Sequence, residues 1–381
     1  MEYSLCINCI KDPLIILYTQ QNFKRIISCS ICNNSGQGLK IIDNEVLVSN
    51  LFKSILRFHY PEVKYNPNFS NNGLLFFFEK ENKIINHNFY DASIFEKLID
   101  CLYGDYGGDP VIIYSDKLDR HNYLGGFYYN LQDDVSTIWT NLVQRLDKEN
   151  YYNVKPELEI YLKRIIKRIQ SIIKIGSKFY RARIGYLEVE DLDFLFSSRP
   201  VAYSKKDICA PPPPKAISGR INREGISYLY LSSNENTAVS EVRPHPDHYV
   251  TIAQFKNDSE INFVDFRKIN LLNFFSSQSD IELYTFANYL SKTFSWPVLP
   301  DQKHHYLLTQ LVADTLRELG IKGIIYNSPM CEGYNIISFY PELFDFIEGS
   351  NKLLKIEKIS CQYREVKFEE DDFGYYREQQ K

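Results

Sequence analysis

The sequence contains no long hydrophobic run. No stretch reaches the roughly 18 consecutive apolar residues that a membrane-spanning helix needs. The N-terminal segment MEYSLCINCIKDPLIILYTQ has a glutamate at position 2 and only the short apolar run Leu14–Leu17. A secretory signal needs a basic start and a longer apolar segment. We therefore expect a cytoplasmic protein without a membrane partner.

An excess of positive charge is also absent. The chain has 44 Lys and Arg against 48 Asp and Glu, a formal net charge of -4, which argues against a protein that wraps nucleic acid through its overall field. One basic segment places Lys163, Arg164, Lys167 and Arg168 on one side of a helix predicted over about 155–175. A membrane-surface or nucleic-acid role for that face stays open, but a solvated face on a helix between two domains is the preferred interpretation.

The remaining composition is typical of a soluble globular protein. Of the 381 residues, 44% are hydrophobic and 24% are charged. At roughly 100–200 residues per domain, this length predicts two or three domains.

The eight cysteines are unevenly spread. CINC and CSIC contain Cys6, Cys9, Cys29 and Cys32, whereas the other four are scattered, as reduced core cysteines are. Two CxxC pairs at this separation suit a tetrahedral Zn²⁺, and four thiolates would close its coordination shell, so we expect a structural zinc. Disulfides or buried free thiols are the alternatives. Residues 1–40 form the predicted zinc-knuckle domain.

The next segment, 41–175, is predicted to be a mainly helical regulatory domain. LVSNLFKSILRFHY, ASIFEKLIDCLYG and VSTIWTNLVQRL repeat apolar residues every three or four positions, as amphipathic helices do. GDYGGDPVIIYSDK is predicted to be a loop that leads into a short extended run.

From residue 176 the pattern changes to an α+β alternation. FYRARIG, YLYLSS, YVTIAQF and GIIYNS are short strand-like runs, and QKHHYLLTQLVADTLRELG predicts a helix that ends before Gly320. We expect one α/β unit over 176–360 and a charged tail over 361–381. The adjacent His304 and His305 point about 100° apart on a helix, which disfavours a joint metal site.

Polar residues with chemical potential recur along this C-terminal half, without a GxGxxG loop or a second carboxylate beside them. FYRAR contains Arg181 and Arg183, GRINREG contains Arg220, YLYLSS contains Tyr230, the predicted short helix TAVSE contains Glu241, and YNSP places Ser328 after an apolar strand.

This order of elements resembles the RES domain, a family named for its Arg, Glu and Ser, over roughly residues 178–345. The front half resembles the HEPN/RES N-terminal type often fused to such domains, whose cysteine knuckles correspond to CINC and CSIC. The resemblance implies a fold similar to ADP-ribosyltransferases, with a split mixed sheet and helices around a bound dinucleotide. It also implies a bacterial toxin or antiphage effector that depletes NAD⁺, with an antitoxin or trigger protein as partner.

The chemistry of NAD⁺ agrees with this set of residues. Nicotinamide leaves as a neutral ring from a cationic one, so one carboxylate can replace the acid–base pair of ordinary glycosidases. The predicted catalytic residues are Glu241, Arg220 and Ser328. The predicted NAD⁺-binding residues are Arg181 and Arg220 at the pyrophosphate, Tyr230 against the nicotinamide, and Ser328 at the carboxamide or a ribose hydroxyl. The resemblance implies water or phosphate as the nucleophile, and we expect a homo-oligomer.

Other interpretations stay open. The same residues could serve the fold alone, as an Arg220–Glu241 ion pair, a core Tyr230, a strand-end Ser328, and turn residues at Asn222 and Asn335. The domain could also transfer ADP-ribose to a macromolecule, or sense NAD⁺ or ADP-ribose without turnover.

A HEPN-type ribonuclease is excluded by the sequence. That class needs an Arg and a His a few residues apart on one helix. Arg57 and His59 are too close, Arg120 and His121 are adjacent, and prolines between Arg243 and His248 prevent a helix.

Overall fold

The computed structural model describes residues 2–42, 46–59, 84, 136–190, 198–295, 306–360 and 365. The predicted helix ASIFEKLIDCLYG, the loop GDYGGDPVIIYSDK, the His304–His305 pair and most of the predicted tail lie outside these residues. Within them, the fold is α+β, as the sequence predicts.

A small antiparallel sheet and two helices form the N-terminal unit. Strands β1 (Glu2–Cys6), β2 (Ile26–Ser28) and β3 (Ser35–Ile42) pair in the order β1-β3-β2. Helix α1 (Pro13–Asn22) begins with a proline after Asp12, whose carboxylate accepts from the N–H of Leu14 at 2.9 Å. Helix α2 (Val46–His59) is strongly amphipathic, and its buried face packs on this sheet.

The N-terminal unit shares its core with the C-terminal half. Leu271 and Phe275 are buried in the same apolar cluster as residues of α1 and α2. The side-chain amide of Asn50 also donates to the carbonyl of Ser276 at 2.8 Å. The segment 271–276 is therefore one contact between the two halves, and the ring of Tyr284 adds another against Phe58.

Two further helices precede the large sheet. Helix α3 (Thr137–Leu146) starts at Ser136, whose Oγ accepts from the N–H of Trp139. Helix α4 (Tyr151–Ile169) ends six residues earlier than the predicted helix, because Gln170–Ile173 pairs as strand β4 with the large sheet. Leu142 of α3 and five apolar residues of α4 belong to the core that the later helices and the sheet complete. The domain boundary at 175 itself stays a prediction.

Nine strands of the described residues form one mixed sheet. Besides β4 they are β5 (Lys178–Ile184), β8 (Leu229–Ser232), β9 (Tyr249–Lys256), β10 (Ile261–Asp265), β11 (Gly323–Asn327), β12 (Tyr334–Ser338), β13 (Asp345–Phe346) and β14 (Lys352–Lys355). Their order is β13-β9-β5-β8-β12-β11-β10-β4, with β14 also paired to β9. Among the described strands of this sheet, only β10 and β11 run parallel to each other. A separate ribbon joins β6 (Leu187–Glu190) to β7 (Ser198–Val201).

The large sheet is nearly divided in its middle. Strands β5 and β8 pair through a single residue couple, Tyr180 opposite Ser232, whereas β5 pairs with β9 over seven couples. Beyond Tyr180 the two strands diverge and leave room for side chains between the halves of the sheet.

Three helices complete the C-terminal part. Helix α5 (Glu235–Glu241) follows β8, α6 (Gln278–Ser295) follows the segment that contacts the N-terminal unit, and α7 (Tyr306–Glu318) precedes β11. The chain leaves α7 through Gly320 at φ 83°, a left-handed conformation that glycine adopts without strain. Across the described segments we find no helix with the length and apolar character to cross a membrane.

Candidate active site and metal centre

A cleft of about 380 Å³ opens where β5 and β8 diverge. This volume lies within the range of small-molecule sites. Its wall combines residues of β5, β8, α5, β11 and β12 with those of the loops at 220–221, 242–243 and 329. Among its lining residues are Arg181, Arg220, Tyr230, Glu241, Arg243, Tyr326 and Asn335.

Glu241 is the last residue of α5, a short helix whose start is determined by a local capping residue. The side chain of Asn234 caps the helix by accepting from the N–H of Thr237 at 2.8 Å. A carboxylate at the C-terminal end of a helix faces the negative end of the helix dipole, which is unfavourable for stability. The position of Glu241 is thus better explained by what its carboxylate contacts than by the helix.

Two side chains hold one oxygen of that carboxylate. The hydroxyl of Ser328 donates to Oε1 of Glu241 at 2.6 Å, and the amide of Asn335 donates to the same oxygen at 2.7 Å. In the described part of the chain, Oε2 accepts no hydrogen bond and Glu241 has no ion pair. The arrangement orients the carboxylate and leaves its second oxygen available at the cleft. The predicted alternative of an Arg220–Glu241 ion pair is not what these residues form.

Ser328 reaches Glu241 because the loop 328–333 folds back on α5. The N–H of Ser328 donates to the carbonyl of Gly333 at 3.0 Å, and the hydroxyl of Thr237 donates to the carbonyl of Glu332 at 3.0 Å. Gly333 has φ 139°, and a Cβ there would lie 2.2 Å from Oγ1 of Thr237. A side chain at position 333 would therefore push the loop, and Ser328 with it, away from α5.

The guanidinium of Arg181 is partly committed to the main chain. Its Nε donates to the carbonyl of Ile208 at 2.7 Å, and its Nη1 donates to the carbonyl of Tyr230 at 2.9 Å. Burial lowers the pKa of Arg181 to about 10, so the group stays charged at neutral pH. Arg181 therefore brings a fixed positive charge to the cleft while it joins β5 to β8.

Arg220 lies in a loop that α7 holds in place. Thr309 donates its hydroxyl to the carbonyl of Arg220 at 2.6 Å, and the amide of Gln310 donates to the carbonyl of Gly219 at 2.7 Å. Nη1 of Arg220 in turn donates to the carbonyls of Phe294 and Thr293, near the C-terminal end of α6. A cation is favourable there because the helix dipole is negative at that end.

Arg220→Ala is therefore expected to weaken the fold as well as the site. Removing charged hydrogen bonds to helix carbonyls costs about 1.5–3 kcal/mol each at most sites. We expect a lower free energy of unfolding in a urea titration, together with reduced substrate turnover. Arg220→Lys, which keeps the charge, should recover part of the stability. An unchanged unfolding midpoint in Arg220→Ala would contradict the capping role.

Two tyrosines, Tyr230 and Tyr326, line the cleft. Tyr230 donates its hydroxyl to Oδ1 of Asn222 at 2.7 Å, and the amide of Asn222 donates to the carbonyls of Ile217, Arg223 and Ile226. Asn222 is thus the predicted turn residue and also fixes Tyr230. Burial raises the pKa of both Tyr230 and Tyr326, and the nearby charge of Glu241 raises that of Tyr326 further. Both phenols remain protonated near neutral pH.

All five predicted substrate-site residues meet at this cleft. Arg181, Arg220, Tyr230 and Glu241 line it, and Ser328 touches Glu241 at its edge. Three further residues near Glu241 were not predicted to belong to the site. Asn335 lies in β12 rather than in a turn, Tyr326 lies in β11, and Arg243 follows α5. A signal for Arg243 existed in its proximity to Glu241, but Asn335 and Tyr326 become neighbours of Glu241 only through the pairing of distant strands.

The four predicted zinc ligands also lie together. The Sγ atoms of Cys6, Cys9, Cys29 and Cys32 are within 4.8 Å of one another, and those of Cys6 and Cys32 are 3.7 Å apart. Four sulfurs at about 2.3 Å from a tetrahedral ion would be about 3.8 Å apart. All four thiols are free, and the N–H of Cys6 donates to Sγ of Cys29 at 3.4 Å. The disulfide alternative is therefore wrong, and the residues fit a zinc ion. Elsewhere in the described residues no other group of His, Cys, Asp or Glu is placed to share a metal.

Fold and cleft together define a class: an α+β protein in which a nearly divided sheet presents one oriented carboxylate among arginines and tyrosines. Residues 197–356 match the family model described as the RES domain. This match confirms the predicted RES family for that segment, which is less than half of the chain.

One solved structure is also similar to this chain. A chain of the M. tuberculosis MbcT–MbcA toxin–antitoxin complex is similar, with 12% identity and a TM-score of 0.30 over 52% of this chain and 92% of that one. No curated protein matches the sequence.

Proposed function

We propose that the protein is an NAD⁺-consuming enzyme that cleaves the bond between nicotinamide and ribose. The observation that carries this proposal is Glu241, a single carboxylate with one oxygen held by Ser328 and Asn335 and the other available to a bound molecule. The RES match over 197–356 supports it, because the family resemblance implies NAD⁺ degradation.

The reaction needs little acid–base chemistry. The bond from C1′ of the ribose to the nicotinamide nitrogen breaks, and its electron pair leaves with the ring, which becomes neutral nicotinamide. C1′ then gains a bond to an oxygen of water or phosphate, and the water or phosphate loses a proton. Glu241 would stabilise the positive charge that develops on the ribose and accept that proton.

The other cleft residues would bind and orient. Arg181 and Arg220 provide positive charge that favours the pyrophosphate, and the ring of Tyr230 forms a wall against which a nicotinamide could stack. Ser328 can also turn its hydroxyl toward a ribose hydroxyl or the carboxamide. These roles match a fold of the ADP-ribosyltransferase kind, in which a split sheet encloses the dinucleotide.

The N-terminal unit would carry regulation rather than chemistry. We propose that Cys6, Cys9, Cys29 and Cys32 hold a structural Zn²⁺, because four thiolates fill a tetrahedral shell and leave no position for substrate. In this proposal the zinc unit and the helices after it form the 1–40 and 41–175 domains, and they receive a trigger, an antitoxin or a second copy of the chain. The cellular role is that of a toxin or antiphage effector.

The test is NAD⁺ consumption by the purified chain, with and without added phosphate, followed by product analysis. Nicotinamide with ADP-ribose indicates hydrolysis, and ADP-ribose 1″-phosphate indicates phosphorolysis. An ADP-ribosylated protein or nucleic acid would instead favour a transferase, and tight NAD⁺ binding without turnover would favour a sensor. If the chain neither binds nor consumes NAD⁺, the proposal fails.

A further inference from the structure

Arg243 differs from the other two arginines of the cleft in what its guanidinium contacts. Arg181 donates to two backbone carbonyls, and Arg220 donates to carbonyls near the end of α6. Arg243 also lines the cleft but is exposed, and within the described residues its side chain makes no hydrogen bond or ion pair. Its full set of donors is available to a ligand.

The backbone of Arg243 is held in an unfavourable conformation. Its φ is 48°, in the left-handed region that residues with a side chain seldom adopt. The N–H of Arg243 donates to the carbonyl of Ser240 at 3.1 Å, which closes the last turn after α5, and Pro244 follows at once. Glycine is the usual residue at such a position after a helix. An arginine there costs stability and gains nothing from a protein partner, which is the pattern of a residue kept for a ligand.

The closeness of Arg243 to Glu241 indicates which chemical group of the ligand the guanidinium can reach. The two residues are separated only by Val242. A ribose whose C1′ lies at the carboxylate carries its 5′-phosphate on the same sugar, within reach of a long side chain two residues away. A guanidinium matches phosphate by donating two parallel hydrogen bonds, which an ammonium does not do.

We propose that Arg243 is a substrate-binding residue that holds the phosphate next to the nicotinamide ribose, while Arg181 and Arg220 act mainly through their fixed charge. This inference rests on the proposed function and deepens it. It assigns the direct phosphate contact to a residue outside the Arg181–Arg220 pair predicted from the sequence.

Arg243→Gly separates binding from stability. Glycine removes the side chain and relieves the positive φ, so we expect an unchanged or higher thermal midpoint. For NAD⁺ we expect KM to rise at least tenfold while kcat stays within about threefold, because the contact is lost equally in the ground state and the transition state. Arg243→Lys should give an intermediate KM. Lys167→Ala, which removes an exposed charge of α4 outside the cleft, controls for the change in net charge.

A second substrate locates the contact on the phosphate. Nicotinamide riboside has the same bond to be cleaved but no phosphate. We expect kcat/KM for it to be the same in Arg243→Gly and in the parent chain within about twofold. If the parent does not cleave it, the KM for NAD⁺ decides alone.

Two results would overturn the inference without touching the proposed function. One is an unchanged KM for NAD⁺ in Arg243→Gly. The other is an equal loss of kcat/KM on both substrates, which would indicate a disturbed Glu241 instead of a lost phosphate contact. Absence of NAD⁺ binding by the parent chain would overturn the proposed function first.

Discussion

Glu241→Gln is expected to lower kcat for NAD⁺ cleavage on the order of 10²-fold or more while the protein stays folded. Glutamine has the shape of glutamate, so the hydroxyl of Ser328 and the amide of Asn335 can still donate to its carbonyl oxygen. What disappears is the negative charge that would oppose the developing positive charge on the ribose. The affinity for unreacted NAD⁺ should change little, because the lost charge acts mainly in the transition state. KM should therefore change much less than kcat.

Glu235→Gln is the matched control. Glu235 is the first residue of the same helix and pairs with Lys352 at 3.2 Å, outside the cleft. It therefore removes the same charge from the same helix without touching the site. Activity should be unchanged in Glu235→Gln, and both variants should share the parent's circular dichroism spectrum. Equal activity in Glu241→Gln and the parent would remove Glu241 from the chemistry and end the glycosyl-transfer proposal.

The local pieces of the site follow from the sequence. Asn234 caps α5 and Glu241 ends it, as the short helix after a loop predicts. Ser328 follows β11, and Gly320 follows α7, because turn and cap residues act on their own neighbours. Such features are readable because their causes lie within a few residues of one another.

The arrangement of those pieces depends on distant contacts. Asn335 reaches Glu241 only because β12 pairs with both β8 and β11. Arg220 could be assigned to the substrate from the sequence, but no local pattern shows that it also donates to carbonyls of α6 more than seventy residues later. Hydrogen bonds between remote segments are set by the tertiary fold, so a one-dimensional pattern does not reveal them.

Contacts between remote segments also determine where a shorter version of the chain can begin. Apolar periodicity predicts α3 and most of α4, but it does not show on which core they pack. Leu158, Leu162 and Ile165 of α4 are fully buried among residues of the later helices and sheet, and β4 adds a strand next to β10. A chain that began near Lys174 would lose all of these contacts. A C-terminal fragment should therefore begin before Ser136.

Cys6→Ser is expected to abolish zinc binding and unfold the small sheet of β1, β2 and β3. Cys6 ends β1, its Sγ lies 3.7 Å from that of Cys32, and a serine hydroxyl is a poor zinc ligand at neutral pH. Structural zinc supplies about 10–16 kcal/mol of apparent binding free energy in small zinc-dependent units. Leu5 and Leu39 also bind β1 and β3 to the helices by apolar packing, but each such side chain stabilises by only about 1.5–3 kcal/mol, so the loss of zinc should dominate.

Metal analysis and hydrogen exchange measure the two parts of this prediction. The parent should contain one zinc per chain and protect the amides of β1 and β3, whereas Cys6→Ser should contain none and lose that protection. Cys361→Ser, which changes a cysteine outside the two CxxC pairs, should behave as the parent. Retained zinc in Cys6→Ser, or intact protection without zinc, would show that these cysteines do not hold the unit together.

The effect of Cys6→Ser on NAD⁺ cleavage should be smaller and indirect. The N-terminal unit contacts the segment 271–276, which leads into α6, and the last carbonyls of α6 accept from Arg220 in the cleft. Loosening the first contact can therefore shift Arg220 without removing any group that touches substrate. We expect kcat/KM to fall by less than about tenfold, well below the loss in Glu241→Gln. A loss as large as that of Glu241→Gln would mean that the zinc unit is needed to form the active cleft.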